Sequence, residues 1–278
     1  RMDYNYYYQD NQIIFHHSLS KNPDPDKFTM HAHKMCEILY FLSGSGKYIV
    51  EGSEYTIEPG SLMLMRQSEA HKVQIRPDCT YERIALHFSP SIIQQIDPEG
   101  KLLAAFKNRP LGQRNFYHRG SYRSGFVLEC LNSMKSDTDD DYSRRLSIIS
   151  HLFPILSEVN AAFIARQDEI ESKPYQNISR ELVYYVNYNL MSPDLSLDSL
   201  CEHFLVSKCH LNRIFKNATG STVWNYVLIK RMMAARQMLK SGKPASEVCQ
   251  ACGFRDYSSF YRLYKKYFNT TPQKEKSN

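Results

Sequence analysis

The sequence predicts a multidomain chain: a mainly-β N-terminal half forming a small barrel with helices after it, then an all-α C-terminal domain with two helix-turn-helix units. Three observations predict it. Short runs of β-branched and aromatic residues crowd residues 28 to 90, and three- and four-residue apolar spacing replaces them from about Ser91. Near the C-terminus one short-helix, turn, second-helix pattern occurs twice, 48 positions apart.

In the N-terminal half the strand candidates are Glu37–Leu42, Lys47–Val50, Tyr55–Ile57, Ser61–Met65 and Arg83–Phe88. Gly, Ser and Pro punctuate them at Ser43–Gly46, Glu51–Ser53, Pro59-Gly60 and Arg76–Asp78. Many short strands at close spacing suggest an antiparallel barrel. The tyrosine-rich segment Tyr4–Tyr8 precedes them, either as a mobile terminus or as an aromatic platform. Two longer helices follow, Tyr122–Ser136 and Tyr142–Arg166, split by the acidic loop Asp137–Asp141. In the second, Leu146, Ile149, Leu152, Phe153 and Leu156 recur at helical steps, as a dimer element or as private packing. The polar stretch Gln167–Asn177, with Pro174 inside it, is the expected linker, giving domains 1–166 and 178–278.

Composition narrows the function classes. The chain has 278 residues, 42% hydrophobic and 23% charged, enough for two buried cores. Its strongest apolar run, Ile148–Ile164, is broken by His151, Pro154, Glu158 and Asn160, so no bilayer span is expected. The N-terminus lacks the apolar core of a signal peptide, and seven cysteines without framework spacing fit a reducing, cytoplasmic compartment. Cys249 and Cys252 read as small core residues at helical spacing. From Lys173 onward 16 Lys and Arg face 7 Asp and Glu, a net +9 on a body of −3. That asymmetry is the footprint of a polyanion partner.

Leu197, Leu200, Cys201 and Phe204 have the same spacing as Ala245, Val248, Cys249 and Cys252. After turns at Leu205–Ser207 and Gly253–Arg255, Leu211, Arg213, Phe215 and Lys216 recur as Phe260, Arg262, Tyr264 and Lys265. The outer faces of the second helices carry Ser207, Lys208, Cys209, Asn212 and Arg213 in one copy. The other carries Asp256, Tyr257, Ser258, Ser259, Tyr261 and Arg262. Arg and Asn can read guanine and adenine edges, whereas Lys208, Lys216, Lys265 and Lys266 suit phosphates. Between the copies Val223–Lys240 reads as one helix with Trp224, Val227, Leu228, Ala235, Met238 and Leu239 on one stripe, ended at Gly242. At 1.5 Å per residue it is a rod of about 27 Å, suited to recognition helices one DNA turn apart.

These motifs, with Ala245–Phe254, Ser259–Lys266 and Thr271-Pro272, resemble the AraC/XylS family of bacterial regulators over roughly the last hundred residues. The resemblance implies base-facing positions at Cys209, Asn212, Arg213, Ser258, Tyr261 and Arg262. It implies promoter DNA, RNA polymerase and a second copy of the chain as partners. Asn269 departs from the glycine usual there, and Glu275-Lys276 from the usual Tyr-Arg, which predicts a weaker second unit.

In the N-terminal half His31-Ala-His33, Glu37 and Gly44 resemble the first cupin motif, and Pro59-Gly60 with His71 the second. Pro25 and Ile75 stand where that pattern has Gly and Asn. His31, His33, Glu37 and His71 form a chemically sensible metal set. The resemblance to regulators assigns them instead to an effector pocket without a metal or cofactor, and the polar groups such a pocket needs among apolar walls add Tyr40 and Arg66. Arg83 and His87 are secondary choices. The expected function is a ligand-responsive activator answering a sugar or other small molecule; the alternative is a metal-dependent cupin enzyme with an appended helical domain.

Overall fold

Alternation along the third strand separates two cores and so sets the layering of the N-terminal domain. In this computed structural model, which describes residues 3–166 and 178–277, the strands are β1 (Asp3–Gln9), β2 (Ile13–Lys21), β3 (Cys36–Ser43), β4 (Gly46–Val50) and β5 (Ser53–Ile57). They continue as β6 (Leu62–Met65), β7 (His71–Ile75), β8 (Thr80–Phe88) and β9 (Phe116–Tyr117). Two short helices, α1 (Ser91–Gln94) and α2 (Ala104–Lys107), interrupt the last pair, and α3 (Ser124–Ser133) and α4 (Asp141–Ala165) follow. Cys36, Ile38 and Tyr40 of β3 join Val127, Leu131, Leu152 and Leu156 in one core under α3 and α4. Leu39 and Phe41 point the other way, to Tyr48, Val50, Val73 and Ile75 of the second sheet.

The barrel expectation is overturned. Six strands form one antiparallel sheet in the order β1-β2-β8-β3-β6-β9, and three form another, β5-β4-β7. Among the described residues no ladder joins the two; an isolated His31–His71 bridge adds one pair at the edge of the smaller sheet. The domain is an open two-sheet stack with helices on its outer face, not a cupin-like closed barrel. Strand runs and turn residues are local and look alike in a barrel and a stack; closure depends on which distant edges pair. Gly46 shows how tightly β4 meets β7, since a Cβ there would lie 2.3 Å from the Gln74 carbonyl oxygen.

The tyrosine-rich N-terminal segment is strand β1, held along β2 with Tyr7 opposite His16. Asp140 caps α4 through the N–H groups of Tyr142 and Ser143. The buried face of α4 is Ile148, Leu152, Ile155, Leu156, Val159 and Phe163, one residue around from the expected stripe, and Leu146 is exposed. By length and mean hydropathy α4 qualifies as a bilayer span, contrary to expectation; its buried face packs into the domain core.

The expected linker, 167–177, lies outside the described residues. Beyond it come α5 (Ile178–Tyr188), α6 (Leu197–Phe204), α7 (Lys208–Thr219), α8 (Val223–Lys240), α9 (Ala245–Ala251) and α10 (Tyr257–Phe268). One core gathers Leu182, Val186, Leu200, Leu211, Phe215 and Val227 and takes in Met30 and Ala70 of the N-terminal domain. The other packs Met232, Ala235 and Leu239 on Val248, Cys249, Cys252, Phe260 and Tyr264. α8 thus spans both units and covers the range that its periodicity predicted. Its buried side includes Tyr226, Lys230 and Arg231, while Trp224 on the expected stripe is 40% exposed.

Candidate nucleic-acid interface and effector pocket

In the first unit Ser196 caps α6 in a reciprocal arrangement with Ser199. The helix ends at Leu205, in left-handed conformation (φ 54°), and Ser207 then caps α7 by accepting the His210 N–H. Leu211 and Phe215 are buried, leaving Lys208, Cys209, Arg213 and Lys216 exposed along one side of α7. Lys208 is ion-paired with Asp198 at 2.6 Å, and an Arg213 nitrogen lies 2.9 Å from His210 Nδ1. Asn212 is half-buried, and its side-chain oxygen accepts the Val223 N–H at the start of α8.

The second unit repeats the design. Asp256 caps α10 by accepting the Ser259 N–H at 2.7 Å, which holds its carboxyl below the usual range. Tyr257, Ser258, Arg262 and Lys265 are exposed, and Ser259 and Tyr261 are half-buried. The Tyr257 hydroxyl accepts from Gln273 at 2.6 Å, and Arg262 lies 3.4 Å from the Ser259 hydroxyl. Both departures near the end of this unit have structural roles. Asn269 takes the left-handed cap position (φ 52°), its N–H bonded to the Lys265 carbonyl. Glu275 is buried against α8, 2.7 Å from Arg236 and 3.5 Å from Lys240. Arg231 ties the two units together, donating to the carbonyls of Leu190, Ser192 and Gly253. Sequence reasoning missed Lys230 and Arg231 because cations on a helix normally mark its wet face.

Of the expected effector residues, four converge and two do not. His31, His33 and Glu37 line a cavity of about 320 Å³ between the sheets, with His16, Tyr48, Tyr81, Arg83 and His87, and His71 is buried beside it against Glu37. Glu37 is its buried centre: its carboxylate lies 3.1 Å from His71 Nε2, 3.4 Å from His33 Nε2 and 3.3 Å from His87 Nε2. Burial alone would push the Glu37 carboxyl up, but His87 and His71 outweigh that and hold it well below the usual carboxylate range. Burial holds His31 at about 4 and His33 at about 3, so both rings are neutral at physiological pH. His71 is raised: burial opposes the charge, but Glu37 overcomes it.

Tyr40 lies on the opposite face of β3, its hydroxyl 2.8 Å from Ser124 Oγ under the helices. Arg66 donates to the carbonyls of Lys107 and Arg109 and borders a separate cavity of about 740 Å³ between the domains, with Tyr184, Tyr188 and Phe204. His16 reaches the pocket because β2 pairs with β8, placing it opposite Ala85. No motif signalled it.

Both halves of the chain have similar known proteins. Residues 200–277 match a family described as "Helix-turn-helix domain", and residues 19–153 one described as "AraC-like ligand binding domain". The chain is 25% identical over 255 residues to the "HTH-type transcriptional activator RhaS" of Yersinia pestis bv. Antiqua (strain Angola), covering 88% of each chain. It is 22% identical over 248 residues to the RhaS of Escherichia coli O6:H1, covering 88% of this chain and 86% of that one. Among solved structures, ToxT from Vibrio cholerae O395 is 14% identical, covers 95% of this chain and 97% of its own, and has a TM-score of 0.36. The chain is thus similar to a helix-turn-helix domain over residues 200–277 and to an AraC-like ligand binding domain over residues 19–153, the latter built here on two open sheets.

Proposed function

We propose that the chain is a sequence-specific transcription activator whose N-terminal domain takes a small-molecule effector and whose C-terminal domain reads promoter DNA. The observation that carries this reading is the repeated presentation of a capped, exposed, basic helix. Arg213 and Lys216 stand on one copy, Arg262 and Lys265 on the other, and one 18-residue helix joins the two units. The RhaS relatives support activation as the direction of control. The pocket around Glu37, with His31, His33 and His71, is the effector site, and a sugar is the first effector class to test. The chain acts in the cytoplasm as a homodimer that engages RNA polymerase, with Tyr142, Leu146 and Ile164 of α4 offering exposed apolar surface for the dimer. The resemblance to regulators favours this reading over the enzymatic one.

Selection of sites from a random double-stranded DNA pool at physiological salt tests it. Enrichment of two short blocks about 10 bp apart is expected. No enrichment, with or without candidate sugars, would overturn the reading.

A further inference from the structure

We propose that the cavity of about 740 Å³ between the N-terminal domain and the first helix-turn-helix unit is a second small-molecule site, built for a planar ligand of two or more aromatic rings that carries an acidic group. Its volume is in the usual range for a ligand of several rings. No residue lines both this cavity and the one around Glu37.

One wall is aromatic. Tyr184 and Tyr188 stand one turn apart on α5, their rings stacked at 6.2 Å and 22°. Tyr185 stacks on His203 of α6 at 4.1 Å and 28°, and Phe204 meets Tyr185 edge-on. All five border the cavity. Tyr184 and Tyr188 are 72% and 79% exposed, so two large rings at the seam between domains are left to water. Clustered exposed rings beside a cavity mark a binding surface. A flat ligand covers them by offset stacking, the arrangement these rings already adopt with one another.

The facing wall belongs to the N-terminal domain and selects the charge. Arg66, just past β6, is half-buried beside Leu111 and Gln113. Its Nη1 donates to the carbonyls of Lys107 and Arg109, which fixes the guanidinium in place. Both bonds leave from one nitrogen, and among the described residues Arg66 makes no ion pair. Glu69 is already taken by Arg109, and Glu51, also in the wall, by Lys230. Glu181 borders the cavity too, but it is exposed on α5, where solvent screens it. Burial pulls the Arg66 guanidinium below its ordinary value. An acidic group on the ligand supplies the missing counter-charge through paired hydrogen bonds. A neutral sugar would cover the rings and leave that charge uncompensated. Because the walls come from both domains, a bound ligand holds the first DNA-reading unit against the N-terminal domain. Its effect on DNA binding rests on the proposed function; the site itself does not.

The test titrates anilinonaphthalene sulfonate, followed by its fluorescence, into the folded full-length protein without DNA. One saturable equivalent at micromolar concentration and a higher thermal midpoint are expected. Tyr188→Ala and Arg66→Gln should each weaken binding at least about tenfold. Ile96→Ala, which removes an exposed apolar side chain elsewhere, should not. The uncharged phenylnaphthylamine should bind at least about tenfold more weakly than the sulfonate. Circular dichroism checks folding, and if Arg66→Gln does not fold, Tyr188→Ala at its exposed position decides. Non-saturable uptake, several equivalents, or wild-type affinity in either folded variant would each overturn the site, and equal affinity for the neutral compound would overturn the acidic group. Failure here leaves the DNA-binding reading standing, and failure of site selection leaves this cavity's ligand standing.

Discussion

Glu51, in the turn between β4 and β5, is ion-paired with Lys230 in the middle of α8, and both side chains are buried. The same carboxylate accepts from the Tyr226 hydroxyl and the Ala70 N–H, while Lys230 also reaches Asn187. The turn that carries Glu51 lies against the first DNA-reading unit: a Cβ on Gly52 would come within 3.1 Å of Val183. An effector-side turn is therefore wired directly into the helix shared by both helix-turn-helix units.

Replacing one partner leaves the other charge buried without a counter-charge, so Lys230→Met should cost about 3–5 kcal/mol in denaturant unfolding. Glu51→Gln combined with Lys230→Met should cost clearly less than the two single changes summed. Simple additivity would show that the pair does not couple the domains.

A second buried pair, Glu69 with Arg109, makes two parallel contacts at 2.7 and 2.9 Å, and the Gly112, Arg66 and Asn115 nitrogens also donate to Glu69. Burial opposes ionisation, but Arg109 and the N–H donors hold the Glu69 carboxyl below its ordinary 4.5. A depressed folded value contributes stability above 4.5 that is lost as pH falls toward it. Acid unfolding of Glu69→Gln should therefore be less steep than wild type below about pH 4.5. Parallel curves would assign the acid sensitivity to other carboxylates.

Arg213→Ala should weaken binding to the selected site by about 1–3 kcal/mol and relax preference at one position. Lys265→Ala should weaken all sequences alike and reduce the salt dependence of binding. Gel-shift titrations on matched and single-substituted sites separate the two; uniform weakening by Arg213→Ala would make it a phosphate contact.

Leu205 and Gly253 occupy the same place in the two repeats, and both backbones are left-handed, φ 54° and 75°. Gly253 is required, because a Cβ there would lie 2.7 Å from the Met191 carbonyl oxygen. Leu205 is 90% exposed and gains little packing to offset its strain. Leu205→Gly should raise stability by about 0.5–1 kcal/mol, the relief of left-handed strain less the added chain entropy. A thermal midpoint that falls would mean that the leucine side chain itself stabilises the turn.

At Asn269, which fills the left-handed cap of α10, Asn269→Gly should leave thermal unfolding unchanged within about 0.5 kcal/mol, whereas Asn269→Ala should lose about 1 kcal/mol. Equal losses in both variants would point to the asparagine amide rather than to the backbone angle.

The amino-acid sequence alone determined the C-terminal architecture. The repeated apolar spacing and the 18-residue α8 are set by contacts within a few residues, so they are legible without a fold. It also singled out His31, His33, Glu37 and His71, because metal- and ligand-binding side chains stand out by type. Tertiary structure alone decided that the sheets stay open, that Tyr40 turns away under the helices, and that His16 joins the pocket. It decided as well that Glu51, Lys230 and Arg231 lie buried between units. Each depends on partners dozens to nearly two hundred residues away; strand pairing and charge burial are long-range choices, and local patterning does not encode them.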